Sequence, residues 1–175
     1  RTYADQVVFN GRFMPDGETV IFSAAVTRAA VSLFESRIDR ATPRPFGPPN
    51  TQLLSVSSKG ELLVLSNTRY SGQRRFRGTL GRMTVDGAPR AIAEDIVEAD
   101  WLPDGSDFVV VRVAGPTETI EFPMGTPVLT GNGYISTPRV SPDGTRVAFM
   151  EHQAKFDNRG WVKVVDRAGK VMTLA

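Results

Sequence analysis

The sequence predicts an all-β fold: a β-propeller of four-stranded antiparallel blades, about four of them present, forming a partial propeller or half of a dimeric ring. Three observations lead there. One turn recurs along the chain as Phe13-Met14-Pro15-Asp16-Gly17, Val56-Ser57-Ser58-Lys59-Gly60, Trp101-Leu102-Pro103-Asp104-Gly105 and Val140-Ser141-Pro142-Asp143-Gly144. Its glycines are 43, 45 and 39 residues apart, a blade-length repeat. A short apolar run follows each turn, and a second strand-like stretch with a short tail follows each run.

The turn has a stereochemical cause. Proline pre-sets φ at the first central position, aspartate bonds the backbone just ahead, and glycine takes the positive φ that a side chain would make costly. The second copy keeps Gly60 but carries Ser58 and Lys59 in place of proline and aspartate. That is the pattern expected if glycine is the requirement and the other two are preferences. Asp16, Asp104 and Asp143 therefore read as turn residues rather than calcium ligands or catalytic acids.

The runs Val20-Ile21-Phe22, Leu62-Leu63-Val64-Leu65, Phe108-Val109-Val110-Val111 and Val147-Ala148-Phe149-Met150 suit strands buried on both faces. Third strands are expected within Val31–Ile38, Thr79–Val85, Thr117–Phe122 and Trp161–Val165, with further turns at Asp86-Gly87 and Asp166-Arg167-Ala168-Gly169. Short tails such as Arg90-Ala91-Ile92 and Val171-Met172-Thr173-Leu174 supply outer strands. The blades then occupy 7–46, 51–92, 97–129 and 135–174 of a single domain spanning 1–175. The best helical window is Thr27–Asp39, but its place between two strands of the first blade favours a hairpin. Pro43, Pro45, Pro48 and Pro49 mark a loop between the first two blades.

Composition narrows function mainly by exclusion. No cysteine is present, so disulfides, thiolate metal sites and cysteine nucleophiles are ruled out. The only histidine, His152, cannot form a histidine-cluster metal site and reads as a loop or strand-end residue. The chain has no Gly-x-Ser-x-Gly elbow, phosphate loop or dinucleotide fingerprint; Gly131-Asn132-Gly133 lacks the third glycine and the following helix. Glu118 and Glu121 read as readily as a strand edge as an acid/base pair. The expectation is a binding domain without catalysis, cofactor or metal. No apolar run reaches the ~20 residues that span a bilayer, so no direct membrane insertion is expected. The opening Arg1-Thr2-Tyr3 reads as the start of an excised or processed piece.

Net charge is only +2. Its one local concentration is Arg69-Tyr70-Ser71-Gly72-Gln73-Arg74-Arg75-Phe76-Arg77, followed by Arg82. Arginine interleaved with aromatics can hold an acidic partner or an anion; the plainer reading is a solvated blade loop, and nucleic acid is not expected. Arg74, Arg75 and Arg77 are the candidate ligand- or partner-binding residues.

The Pro-Asp-Gly turns, each preceded by an aromatic or Val-Ser and followed by an apolar strand, resemble the TolB-like, WD-like propeller repeat. The stretch Glu121-Phe122-Pro123-Met124-Gly125, then Gly133 to Gly144 with Ser141-Pro142-Asp143-Gly144, then Val164-Val165-Asp166-Arg167-Ala168-Gly169, is similar to the C-terminal propeller of bacterial membrane-anchored, eukaryotic-like serine/threonine protein kinases. That resemblance implies an extracytoplasmic sensor or protein-interaction domain on the periplasmic side. Related repeats imply two alternatives: the gating propeller of a prolyl-oligopeptidase-type serine hydrolase, or a free periplasmic TolB-like scaffold. Full propellers of this type usually have more blades than four. A homodimer completing an eight-bladed ring, or a closed four-bladed disc, is therefore expected.

Overall fold

The computed structural model describes residues 6–26, 30–40, 42–72, 74–131, 133–154 and 157–175. Among them every regular element is a strand: β1 (Gln6–Phe13), β2 (Thr19–Val26), β3 (Ser32–Arg37), β4 (Arg44–Phe46), β5 (Gln52–Val56), β6 (Leu62–Gly72), β7 (Arg75–Met83), β8 (Arg90–Trp101), β9 (Phe108–Ala114), β10 (Thr117–Glu121), β11 (Pro127–Gly131), β12 (Tyr134–Val140), β13 (Arg146–His152), β14 (Trp161–Asp166) and β15 (Val171–Thr173). The helical alternative is displaced by β3 over its described part; Thr27–Ala29 lie outside the described residues, as do Arg1–Asp5, Gln73 and Asn132.

Each blade is an antiparallel meander. The strand orders are β1-β2-β3-β4, β5-β6-β7-β8-β9-β10-β11 and β12-β13-β14-β15. The long middle order arises because β8 serves twice: its start is the outer strand beside β7, and Ile96–Trp101 pair with β9 as the first strand of the next blade. No turn separates the two roles, so this boundary has no punctuation in the sequence.

The turns form as their chemistry dictates. The Gly17, Gly60, Gly105 and Gly144 N–H groups donate to the carbonyls of Met14, Ser57, Leu102 and Ser141 at 3.0, 3.0, 2.9 and 2.8 Å, and all four glycines have positive φ, between 66° and 80°. Asp16 accepts from the Glu18 and Thr19 N–H groups, Asp104 from Ser106 N–H and Asp143 from Thr145 N–H. Where the second turn lacks aspartate, the Ser57 hydroxyl accepts from the Lys59 and Glu61 N–H groups instead, at 3.2 and 3.0 Å.

A second repeat is invisible in the residue types. The first strand of every blade breaks register against its neighbour, between Val8/Asn10, Leu53/Ser55, Ile96/Glu98 and Ser136/Arg139. Such bulges bend and twist a strand locally.

Contacts divide the chain into two compact units, Arg1–Glu94 and Asp95–Ala175. In the first, Ile21 and Leu33 of one blade meet Leu53, Leu62, Val64 and Met83 of the next. The Asn10 amide crosses between these blades, donating to the Leu53 and Leu54 carbonyls at 3.1 and 3.0 Å. In the second unit, Val109, Val111, Ile120 and Phe122 pack on Ile135, Val147, Phe149 and Val165. There Asp100 accepts from Val140 N–H at 3.0 Å and Glu118 from Ile135 N–H at 2.8 Å.

Candidate functional site

The predicted arginine loop is a long hairpin. β5 pairs with β6 only as far as Leu65, while the β6–β7 ladder continues to Gly72 and Arg75, so residues beyond Ser66 extend past the blade's first strand. A register break between Ser66 and Arg69, with Asn67 at φ 51°, redirects this outer part. Its tip is pinned: the Arg74 guanidinium donates to the Val8 carbonyl at 2.7 Å, and the Arg74 N–H to the Tyr70 hydroxyl at 3.3 Å. Phe76 packs edge-on against Phe9 and Tyr70, with ring centroids 4.9 and 5.6 Å apart.

The arginines therefore differ in situation. Arg74 is exposed, at φ 62°, and already engaged with backbone. Arg75 and Arg77 are half-buried on β7. Arg69, directly opposite Arg77, is exposed. Arg82 lies in the blade body in a two-pronged pair with Glu61, its Nε donating at 3.0 Å. The structure brings Arg74, Arg75 and Arg77 onto one hairpin, as the sequence spacing requires.

A concave feature elsewhere was not legible in the sequence. In the second unit a groove of about 460 Å³ lies at the end of the blades where the Pro-Asp-Gly turns are. Pro103, Asp104 and Asp107 line it from the β8–β9 turn, Pro142 and Asp143 from the β12–β13 turn, and Arg167 from the β14–β15 turn. Arg167 is held by the Gly144 carbonyl at 3.0 Å and lies 4.5 Å over the Phe122 ring. The Ser141 hydroxyl, then the Thr145 N–H and hydroxyl, hold the Asp143 carboxyl down at about 2. Three aspartates and one arginine thus line the groove, a net negative rim that suits hydrogen-bond donors or cations.

Three further titratable groups singled out by the sequence have partners within the blades. His152 ends β13 and is buried: its Nε2 lies 2.9 Å from the Ser136 hydroxyl, its Nδ1 3.1 Å from the Arg159 carbonyl, and its ring stacks on Tyr134 at 3.9 Å. Burial pushes the Glu121 carboxyl up, but hydrogen bonds from Arg112 and the Gly125 N–H outweigh it and leave the carboxyl below its usual value. Glu118 is spent on the Ile135 N–H. Each is thus engaged by a different partner, Arg112 with the Gly125 N–H for Glu121 and the Ile135 N–H for Glu118. Among the described residues, no group of three or more His, Asp or Glu side chains is placed to hold a metal ion, and no helix is long and apolar enough to cross a membrane.

No protein-family model matches the sequence, and no curated protein matches it. Solved structures are similar in fold. TolB from Acinetobacter baumannii superposes with a TM-score of 0.70 at 18 % identity, over 97 % of this chain and 43 % of that one. A TolB-type protein of Agrobacterium tumefaciens gives 0.73 at 17 % identity, over 94 % and 63 %. The tricorn protease gives 0.62 at 18 % identity, over 95 % of this chain and 18 % of that protein. At such identities the likeness is one of fold, and the fold is a TolB-like β-propeller. The chain spans less than two thirds of the length of either TolB structure.

Proposed function

We propose that this chain is a non-catalytic recognition propeller, the extracytoplasmic sensor domain of a membrane-anchored bacterial serine/threonine protein kinase. It contacts a protein or ligand through blade loops, with Arg74, Arg75 and Arg77 on the contact surface. The observation that carries this reading is the β6–β7 hairpin, which outruns its blade and is tied back by the Arg74–Val8 hydrogen bond and the Phe9–Phe76 contact. A loop ordered before binding loses little entropy when a partner arrives. The kinase placement is suggested by the resemblance read from the Gly133–Gly144 stretch of the sequence, while the likeness to solved structures reaches only the TolB-like fold.

The parent polypeptide tests it directly. A kinase domain followed by a membrane-spanning helix upstream of residue 1 is the expected arrangement. An α/β-hydrolase domain in the same polypeptide would replace this reading with a protease gating propeller, and a secretion signal immediately upstream with a free periplasmic scaffold. In the kinase arrangement, the double variant Arg74→Ala and Arg77→Ala is expected to change autophosphorylation of the full-length protein in membranes. Unchanged phosphorylation, with the protein folded, would remove the hairpin from the mechanism.

A further inference from the structure

The groove between the third and fourth blades is lined by two opposite charges that do not meet. Arg167 comes from the β14–β15 turn and Asp107 from the β8–β9 turn. The Arg167 guanidinium spends Nε and Nη2 on a single carbonyl, that of Gly144, at 3.3 and 3.0 Å. It rests on the ring of fully buried Phe122, a favourable seat for a cation. Among the described residues it forms no ion pair, so Nη1 and the positive charge are left unmatched.

Asp107 is half-buried, and its carboxylate accepts one hydrogen bond, from the Phe108 N–H to Oδ1 at 2.8 Å. Its Oδ2 is unengaged among the described residues. The other two aspartates serve their own turns. Asp104 accepts from the Ser106 N–H and hydroxyl, and Asp143 from the Ser141 and Thr145 hydroxyls and the Thr145 N–H. They make the rim negative without closing it.

Packing keeps the two charges apart. A Cβ added at Gly144 would stand 3.6 Å from Pro103 Cδ and 3.8 Å from Leu102 Cδ2, so the turn that holds Arg167 abuts the turn that carries Asp107. That second turn is itself closed by the Leu102 N–H donating to the Asp107 carbonyl at 2.8 Å. A bound molecule, rather than a direct ion pair, can then satisfy both groups.

The chemistry of that molecule follows from the lining. A guanidinium suits a carboxylate, and a free carboxylate oxygen suits an ammonium. A plain anion is opposed by the aspartates and a plain cation by Arg167, so one chain bearing both charges is preferred to either. Pro103, Pro123 and Pro142 add surface without N–H donors, suited to a hydrocarbon side chain. The volume of about 460 Å³ is in the range of small-molecule sites.

We propose that this groove binds a small apolar zwitterion, an amino acid or dipeptide, with its carboxylate on Arg167, its ammonium on Asp107 and its side chain against the prolines. The site lies wholly within Asp95–Ala175, so it stands or falls apart from the arginine hairpin and the kinase reading.

Titration calorimetry of the 175-residue chain tests it, with L-leucine and L-leucyl-L-leucine as probes. At least one is expected to bind. The analogues 3-methylbutylamine and 4-methylpentanoate, which are leucine without its carboxylate and without its ammonium, are expected to bind roughly 10-fold more weakly or less. Arg167→Gln and Asp107→Asn are each expected to weaken the zwitterion roughly 10-fold, with the circular dichroism unchanged. The asparagine keeps an acceptor for the Phe108 N–H, so the turn is retained. It is also expected to narrow the gap between 4-methylpentanoate and leucine, a change in preference that a merely structural role would not produce.

Absence of binding by both zwitterions at millimolar concentration would overturn the proposal. So would 3-methylbutylamine binding as tightly as leucine, which would reduce the groove to a rim that attracts any cation. Unchanged affinity in folded Arg167→Gln would overturn it as well.

Discussion

A glycine at the end of each Pro-Asp-Gly turn does what no other residue does cheaply. Around Gly17 an added Cβ would meet nothing within 4 Å, so the whole cost of a side chain lies in its φ of 72°. Gly17→Ala is expected to destabilise by about 1 kcal/mol in chemical denaturation, with the m-value unchanged. The aspartate beside each glycine was legible because its bonding partners lie two residues ahead. Asp143 also makes a pH prediction. Its carboxyl sits at about 2 in the folded chain against an ordinary 3.8, so its contribution to stability is complete above 3.8 and is lost as pH falls through about 2. Asp143→Asn is expected to shrink the fall in melting temperature over that acid window; an identical fall in both proteins would show that the Ser141 and Thr145 hydrogen bonds do not persist in solution. His152 gave no such signal. Its partners are Ser136 and Tyr134, which pairing of β12 with β13 brings to it, and Arg159, which the connection from β13 to β14 returns to it. His152→Ala is expected to cost about 2 kcal/mol, chiefly by removing the packing of a buried ring on Tyr134.

At the scale of strands, hydrophobic pattern marked where each element lies but not how deeply. Leu62–Leu65 and Val109–Val111 are all at 0 % exposure, as continuous apolar runs suggest, whereas the equivalent run on β13 alternates, with Ala148 and Met150 only half-buried. The residue types are alike; what differs is how far each run is covered on its two faces. Leu63→Ala is therefore expected to destabilise by about 2–5 kcal/mol. Val162→Ala, on the open face, is expected to cost less than about 1 kcal/mol in the same urea titration. The hairpin carries the same lesson. Sequence spacing placed Arg74, Arg75 and Arg77 on one loop, but not the attachment of Arg74 to the Val8 carbonyl, 66 residues away. Nor could it separate half-buried Arg75 and Arg77 from exposed Arg69.

On the scale of the chain, the two compact units each hold their own apolar cluster, and the clusters share no residue. The division falls inside β8, a strand with no glycine or proline to announce it. A reading based on turns therefore placed a blade boundary near residue 92 without the continuous strand that spans it.

The blade meander, its turns and most of its strands follow from local chemistry: proline, aspartate and glycine set backbone dihedrals within five residues, and apolar runs set which stretches seek burial. The four first-strand bulges, the acidic groove beside Arg167, the burial of His152 and the anchoring of the arginine hairpin were decided only in three dimensions. Each depends on residues between 7 and 66 positions apart meeting across strands or blades, and no local residue pattern encodes which of these partners a side chain will find.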